Sequence, residues 1–441
     1  MGSLTLGVII AIASLAIILA GMPIAFALGF VTLVSMILFV GPTQYEMFAE
    51  YTYDALHDFA LLAIPLFIFM GAIFARSKAS TSLFDAAYKW LGKLPGGLAI
   101  SSVIASAIFS AISGSSPATA AAIGKAAIPE MKKRNYSNTI ATGAVVAGGT
   151  LGILVPPSVV LILYGIAVEV SIGKLFIAGI IPGLLLTTLF SVWIYIATKL
   201  ENRGIQVSSA EGAEYVKNFS WTERFRSLFQ IIPFILLLVA ILGALYAGIA
   251  TPSEGAAIGA ILALLMVIVI YRSMNWKKLI DILLTSTRES TMVLMIVVFS
   301  ALLGTLMSFL SIPQDLANLI IGLDISKWIV LVFINLFLLM LGLFIPPAAI
   351  ILMTAPILLP IITGLGFDPI WFGIVMTINM EAGLITPPVG LNLFVVKGIV
   401  PDIPTGDIIK GSLPYVFLLL IAIALFTIFP GVVTWLPDLL M

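Results

Sequence analysis

Most of the residues in this chain that could do chemistry lie in two short stretches, and each stretch occurs twice. The first copy is Ile112-Ser-Gly-Ser-Ser-Pro-Ala118 followed by Gly152-Ile-Leu-Val-Pro-Pro157. The second is Leu343-Phe-Ile-Pro-Pro-Ala-Ala349 followed by Gly383-Leu-Ile-Thr-Pro-Pro388. Gly152, Pro156 and Pro157 return 231 positions later as Gly383, Pro387 and Pro388, and the same offset carries Ala118 to Ala349 and Pro129 to Pro360. Matches at Ala and Ile carry little weight in an apolar chain, whereas a Pro-Pro with its Gly in register is hard to obtain by accident.

Proline has no N–H and its ring clashes with the preceding turn, so each Pro-Pro unwinds its helix and frees backbone carbonyls. Inside a membrane those carbonyls need partners, and a bound cation is one. Ser113-Gly-Ser-Ser-Pro-Ala-Thr119 adds hydroxyls and closely approachable backbone, a set of hard oxygen donors that suits Na+. Carbonyls near Ala111–Ser113, with Gly152 and Val155, form one candidate site. Gly342, Gly383 and Thr386 form its mirror, and the Thr386 hydroxyl adds an oxygen that Val155 lacks. Each feature also has a bland reading, as a small-residue packing surface or a kink satisfied by neighbouring side chains.

Glu381 falls mid-span just before the second break, and intramembrane carboxylates are functional candidates by default. It could attract a cation, titrate with transport, or simply hold its helix through a polar neighbour. Asn379 and Asn392 flank it and offer amide donors to a substrate carboxylate. Asn335, in the second broken region, reads as interhelical glue. The single histidine, His57, sits beside Asp58 at an expected outer interface and reads as structural. With no cysteine and one histidine, the chain has no ligand set for a zinc protease or a haem site. Phosphate-binding loop motifs are absent too, so energy must come from an ion gradient or from another subunit.

The elements that must position these residues are membrane helices. Of 441 residues 61% are hydrophobic and 10% charged, with a mean hydropathy of +1.20. Basic and acidic residues balance at 21 each, so no overall field favours nucleic acid or an anionic surface. The start has no basic stretch ahead of its apolar run and no clear cleavage site, so Leu4–Ala20 is expected as a membrane helix and not a signal peptide.

Ten spans are expected, at about 4–20, 24–41, 59–76, 138–169, 175–199, 229–248, 256–271, 290–311, 370–399 and 412–436. Two further apolar regions, about 98–130 and 329–361, are too long for one helix and broken at the centre, which predicts re-entrant hairpins. Basic side chains gather at Arg76, Lys78, Lys89 and Lys93; at Lys132, Lys133 and Arg134; at Arg203, Lys217, Arg224 and Arg226; and at Arg272, Lys277, Lys278 and Arg288. Glu46, Glu50, Asp54, Asp58, Asp315, Asp324 and Asp368 fall on the other side. The positive-inside rule then puts the basic segments in the cytoplasm and makes the two hairpin units an inverted pair, one entering from each face.

The chain resembles the large membrane subunit of tripartite ATP-independent periplasmic (TRAP) transporters, the DctM type. The resemblance rests on Gly-Ser-Ser-Pro-Ala-Thr119, Gly152-x-x-x-Pro-Pro157, Ala250-Thr-Pro-Ser-Glu-Gly255, Ile345-Pro-Pro347 and Glu381-Ala-Gly-Leu-Ile-Thr-Pro-Pro-Val-Gly-Leu-Asn392, in the expected order across nearly the whole chain. It implies an all-α polytopic membrane protein of the bacterial inner membrane. The implied fold has about ten transmembrane helices and two re-entrant hairpins, in an inverted-repeat, elevator-type transporter. It also implies Na+-coupled import of a small acidic organic solute, of the C4-dicarboxylate or sialic acid class, handed over by a periplasmic substrate-binding protein. A small four-helix membrane subunit is the other implied partner, expected here as a separate chain because the sequence starts close to the first large-subunit helix.

Carried over residue by residue, the resemblance assigns one Na+ site to Ser113, Gly114, Ser115 and Ser116 with Gly152, Val155 and Pro156. The second falls to Gly342, Gly383, Thr386 and Val389, and the substrate to the neighbourhood of Ser116, Thr119, Asn379 and Asn392. The expected division is scaffold over 1–95, a first core repeat over 96–171, scaffold and connecting helices over 172–326, a second core repeat over 327–400 and a C-terminal helix over 401–441. A stand-alone divalent-anion transporter with similar repeats is the alternative within transport. An intramembrane enzyme is the alternative of another class, and the near absence of buried Asp, His or Cys argues against it.

Overall fold

The computed structural model describes residues 2–41, 45–204, 219–323 and 325–441. Of the charges used above to orient the spans, the side chains of Glu46, Arg203, Lys217 and Asp324 lie outside the described residues. Every regular element among the described residues is helical. The first five α-helices are α1 (Ser3–Leu19), α2 (Ile24–Phe39), α3 (Tyr45–Leu56), α4 (Ala63–Ala75) and α5 (Ala79–Leu91). Then come α6 (Gly97–Ser113), α7 (Ser116–Lys133), α8 (Asn138–Thr150), α9 (Val159–Ala167) and α10 (Ile172–Gly204). The middle holds α11 (Trp221–Tyr246), α12 (Pro252–Val269), α13 (Trp276–Phe309), α14 (Ile312–Gly322) and α15 (Lys327–Gly342). The chain closes with α16 (Pro347–Gly364), α17 (Pro369–Leu384), α18 (Leu391–Ile399), α19 (Thr405–Ile428) and α20 (Gly431–Leu440).

Six of these helices are long and apolar enough to cross a membrane, and a bent pair over 49–56 and 59–75 makes a seventh. Several shorter apolar helices accompany them, among them α1, α2, α6 and α15. The protein is a multi-pass membrane protein. The apolar count missed α5 because its Asp85 and Lys89 interrupt the run, although its inner face, through Leu83, Phe84 and Ala87, is buried. The expected span 290–311 is only the second half of the 34-residue α13. The expected 412–436 is two helices, α19 and α20, parted at Phe429-Pro430.

Two units repeat the same sequence of elements. In the first, the α6–α7 hairpin packs against α8, and α8 breaks before resuming as α9. In the second, the α15–α16 hairpin packs against α17, which breaks before α18. The continuations cross over: α9 packs against α16 and α17, and α18 packs against α7 and α8. The two broken helices run antiparallel. At one end Tyr164 Oη, from α9, donates to the carbonyl of Pro369 at the start of α17 (2.7 Å). At the other, Lys132 at the end of α7 pairs with Asp402 just past α18.

The four basic segments also meet at one end of the bundle. Arg76 pairs with Asp281 and donates to Thr285 Oγ1 (2.9 Å), Arg134 lies 4.6 Å from the centre of the Tyr88 ring, and Trp90 meets Trp221 edge to face.

Candidate functional site

Each hairpin tip is made by residues that cannot continue a helix. In the first, Gly114 ends α6 with φ +56°, a left-handed conformation that a glycine adopts at no steric cost. Ser115 then starts α7 from an extended conformation, its side chain accepting from the N–H of Ala118, with Pro117 in the first turn where no donor is lost. Ser113 Oγ and Thr119 Oγ1 bond across the tip at 2.6 Å. In the second hairpin the tip is Leu343 to Pro346, and Pro347 opens α16.

The breaks lie directly on these tips. A Cβ on Gly152 would stand 2.7 Å from the carbonyl carbon and oxygen of Ser115 and 2.8 Å from Cα of Ser116. A Cβ on Gly383 would stand 2.6 Å from the carbonyl carbon of Gly342 and 2.7 Å from its oxygen. Backbone therefore meets backbone at both places, and only glycine allows the approach. The sequence repeat at Gly152 and Gly383 is thus a repeated contact.

Each break satisfies part of its freed backbone locally. Pro156 and Pro157 supply no N–H to the carbonyls of Gly152 and Ile153. Ser158 Oγ donates to the Ile153 carbonyl (2.6 Å), and the same side chain caps α9 by accepting from the N–H of Leu161 (3.3 Å). In the second break Thr386 Oγ1 donates to the carbonyl of Ala382 (2.6 Å), while the N–H of Thr386 bonds the Gly383 carbonyl (3.1 Å). Both Pro-Pro bonds, Pro156-Pro157 and Pro387-Pro388, are cis. The environments differ: Pro156 is buried and Val155 half-buried, whereas Val389 is exposed.

A polar cluster joins the two repeats. Asn392 Nδ2, at the start of α18, donates to Ser116 Oγ (2.8 Å), and Ser116 Oγ donates to Glu381 Oε2 (3.2 Å). All three side chains are buried. The Glu381 carboxylate also faces the backbone N–H of Ile153, within the first break. No basic side chain pairs with it among the described residues. Thr119 is buried one turn away against Ser113.

Asn379 stands apart from this cluster. Its Nδ2 bonds the backbone carbonyl (2.9 Å) and Oδ1 (2.8 Å) of Asn335, tying α17 to α15. His57 stacks on Tyr53.

Three contributors were not singled out in the sequence. Gly71 of α4 brings that helix onto the first tip, since a Cβ there would lie 2.7 Å from the Ser113 carbonyl. Gly149 does the same for α8, where a Cβ would stand 3.1 Å from Asn392 Nδ2 and 3.2 Å from the Ser116 carbonyl. Ser158 carried a legible signal, a Ser directly after Pro-Pro and before an apolar run, which is an N-cap pattern.

The sequence that builds these two tip-on-break contacts matches a transporter family over nearly its whole length. The model of the tripartite ATP-independent periplasmic transporter DctM component matches residues 11–432. The chain belongs to this family. It is 39% identical to the C4-dicarboxylate TRAP transporter large permease protein DctM of Pseudomonas aeruginosa over 404 residues, covering 91% of this chain and 92% of the relative. The sialic acid TRAP transporter large permease protein SiaM of Vibrio cholerae is 34% identical over 425 residues, 96% of this chain and 97% of the relative.

Among solved structures, the Alcanivorax borkumensis YdaH transporter superposes with a TM-score of 0.57 at 15% identity, over 87% of this chain and 88% of that one. That likeness concerns the fold. Membership of the DctM family makes the chain a transporter permease subunit and not an enzyme.

Proposed function

We propose that this chain is the large permease subunit of a TRAP transporter that imports an acidic organic solute, of the C4-dicarboxylate or sialic acid class, with Na+. The observation that carries the reading is the twice-built contact of a hairpin tip on a helix break, Gly152 on Ser115–Ser116 and Gly383 on Gly342. Among the described residues no group of three or more His, Cys, Asp or Glu could hold a metal ion. A cation at these places must therefore be held by carbonyl and hydroxyl oxygens, which is what a tip lying on a break brings together.

One Na+ belongs with Ala111, Ser113, Gly114, Ser115, Gly152, Val155 and Pro156, and a second with Gly342, Gly383, Thr386 and Val389. The solute belongs between the tips, near Ser116, Thr119 and Asn392, whereas Asn379, expected with them, is held by Asn335. Bound Na+ orders the unwound carbonyls, and a cation beside an anionic solute lowers the cost of bringing either into low dielectric. That mutual benefit is the physical basis of coupling.

The units over 96–171 and 327–400 form the core that moves in an elevator step against scaffold helices over about 4–76 and 175–271, in a chain of about ten crossings. The basic end faces the cytoplasm, and the chain lies in the bacterial inner membrane. Its partners are a small four-helix membrane subunit and a periplasmic binding protein that delivers the solute.

Reconstitution with and without those two partners, followed by Na+-dependent uptake in proteoliposomes, tests the reading. Uptake is expected only with the binding protein present and only on a Na+ gradient. Transport without the binding protein would favour a stand-alone anion transporter, and indifference to Na+ would remove the ion sites.

A further inference from the structure

A cavity of about 390 Å³ lies between α7, the second arm of the first hairpin, and the junction of α4 with α5. On the α7 side its wall is a stripe of small residues, Ala118, Ala121, Ala122 and Ala126, interrupted by Lys125. Ala118 is two residues beyond Ser116, so one end of the cavity adjoins the hairpin tip. From Ala118 to Lys125 the helix rises about 10 Å, at about 1.5 Å per residue. The far end is the basic end of the bundle.

The wall opposite α7 is polar. It carries Arg76 at the end of α4 and the hydroxyls of Ser80 and Thr81 in the first turn of α5. A helix start presents unpaired N–H groups and the positive end of its dipole, which favour an anion. The charged groups lining the cavity are Arg76 and Lys125, and no carboxylate lines it among the described residues.

The two cations are held differently. Arg76 is anchored to α13 by Asp281 and Thr285, which fixes its guanidinium on the α4 side. Lys125 forms no ion pair among the described residues, so its ammonium is available to a ligand. Asp281 already compensates much of the Arg76 charge, so Lys125 supplies most of the attraction for a carboxylate and Arg76 adds its remaining N–H donors on the opposite wall.

We propose that this cavity is a second station for the acidic solute, on the way from the hairpin tips to the basic end, bridged between Lys125 on α7 and Arg76 on α4. The proposal rests on the transport reading above and adds to it a site of its own. An anion there spans the gap between the hairpin arm and α4–α5, so its departure frees the two walls to separate or close. The volume accommodates acids from the size of succinate to that of N-acetylneuraminate, within the roughly 300–1,000 Å³ of small-molecule sites.

The chain has no native cysteine, so Thr81→Cys gives a single labelling position on the cavity wall. The full chain, in nanodiscs of phosphatidylcholine, is labelled with a neutral maleimide in the presence of succinate or N-acetylneuraminate. At least one of the two acids is expected to slow labelling, whereas sodium chloride at matched ionic strength does not. Lys125→Gln is expected to raise the acid concentration needed for half protection about tenfold, the loss of one charge-assisted contact, and Lys125→Arg to restore it.

Labelling that neither acid slows, or protection unchanged by Lys125→Gln, overturns the proposal. So does protection by phosphatidylglycerol nanodiscs without added acid, because a lipid headgroup would then own the site. Proteoliposome uptake is scored separately. Uptake without protection removes the station and leaves the transport reading standing, while protection without uptake leaves an anion site that is no station and overturns both.

Discussion

Ser116 Oγ, in the first turn of α7, donates to Glu381 Oε2 at 3.2 Å across 265 positions of sequence. The same hydroxyl accepts from Asn392 Nδ2 at 2.8 Å. One buried hydroxyl therefore ties the first hairpin to both halves of the second broken helix. Ser116→Ala leaves a buried carboxylate and a buried amide each short of a partner. We expect a loss of about 1–3 kcal/mol of stability. In a double-mutant cycle, Ser116→Ala and Asn392→Ala should be non-additive by more than about 0.5 kcal/mol, read from thermal melts in detergent. Additive losses would show that the hydrogen-bonded chain is not a unit.

Gly152 and Gly383 should tolerate no side chain. Their Cβ atoms would meet backbone of Ser115 and Gly342 at 2.7 and 2.6 Å, and backbone cannot swing aside. Each Gly→Ala change is expected to cost about 1–3 kcal/mol by overpacking. Uptake in reconstituted vesicles should fall with it. Gly304, inside α13 with nothing within 4 Å of a built Cβ, is the control. Gly304→Ala should be neutral or stabilising by up to about 1 kcal/mol. Equal behaviour of all three variants would contradict the packing argument.

The two breaks should respond differently to loss of a side-chain oxygen. Thr386 contributes a hydroxyl where Val155 has none, and Val155 packs against Gly183 of α10. Thr386→Ala is expected to raise the Na+ concentration for half-maximal uptake about tenfold, with Val155→Ala changing it less than about twofold. Identical Na+ titrations for the two variants would count against the asymmetry.

Acid should loosen the tether between the first hairpin and the end of the second unit. The Lys132 ammonium, bonded to Asp402 just past α18, holds that carboxyl below its usual value of 3.8. A depressed carboxylate contributes stability that is present above the usual value and lost as pH falls through the lower folded one. The difference in melting temperature between the parent and Asp402→Asn should be constant from about pH 5 to about pH 8 and close only in stronger acid. A difference that already shrinks near neutral pH would point to another group. Any dependence of uptake on pH between those limits therefore has a different origin.

The sequence alone determined the membrane class, the doubled unit and most of the candidate site. Pro-Pro breaks, a Gly-Ser-Ser-Pro tip and long apolar runs act through local chemistry, because they remove donors, permit tight turns and demand burial wherever they occur. Their repetition at a fixed offset made the symmetry legible without any knowledge of contacts. It could not show that Glu381 of the second unit meets Ser116 and Ile153 of the first, nor that Asn379 turns away to Asn335. It also left Arg76 and Lys125 as two charges among 21 basic residues. Those relationships depend on α9 and α18 crossing between the repeats and on the antiparallel course of the broken helices. Side-chain partners hundreds of positions apart are chosen by how helices pack, and packing is a property of the assembled bundle, not of any one segment.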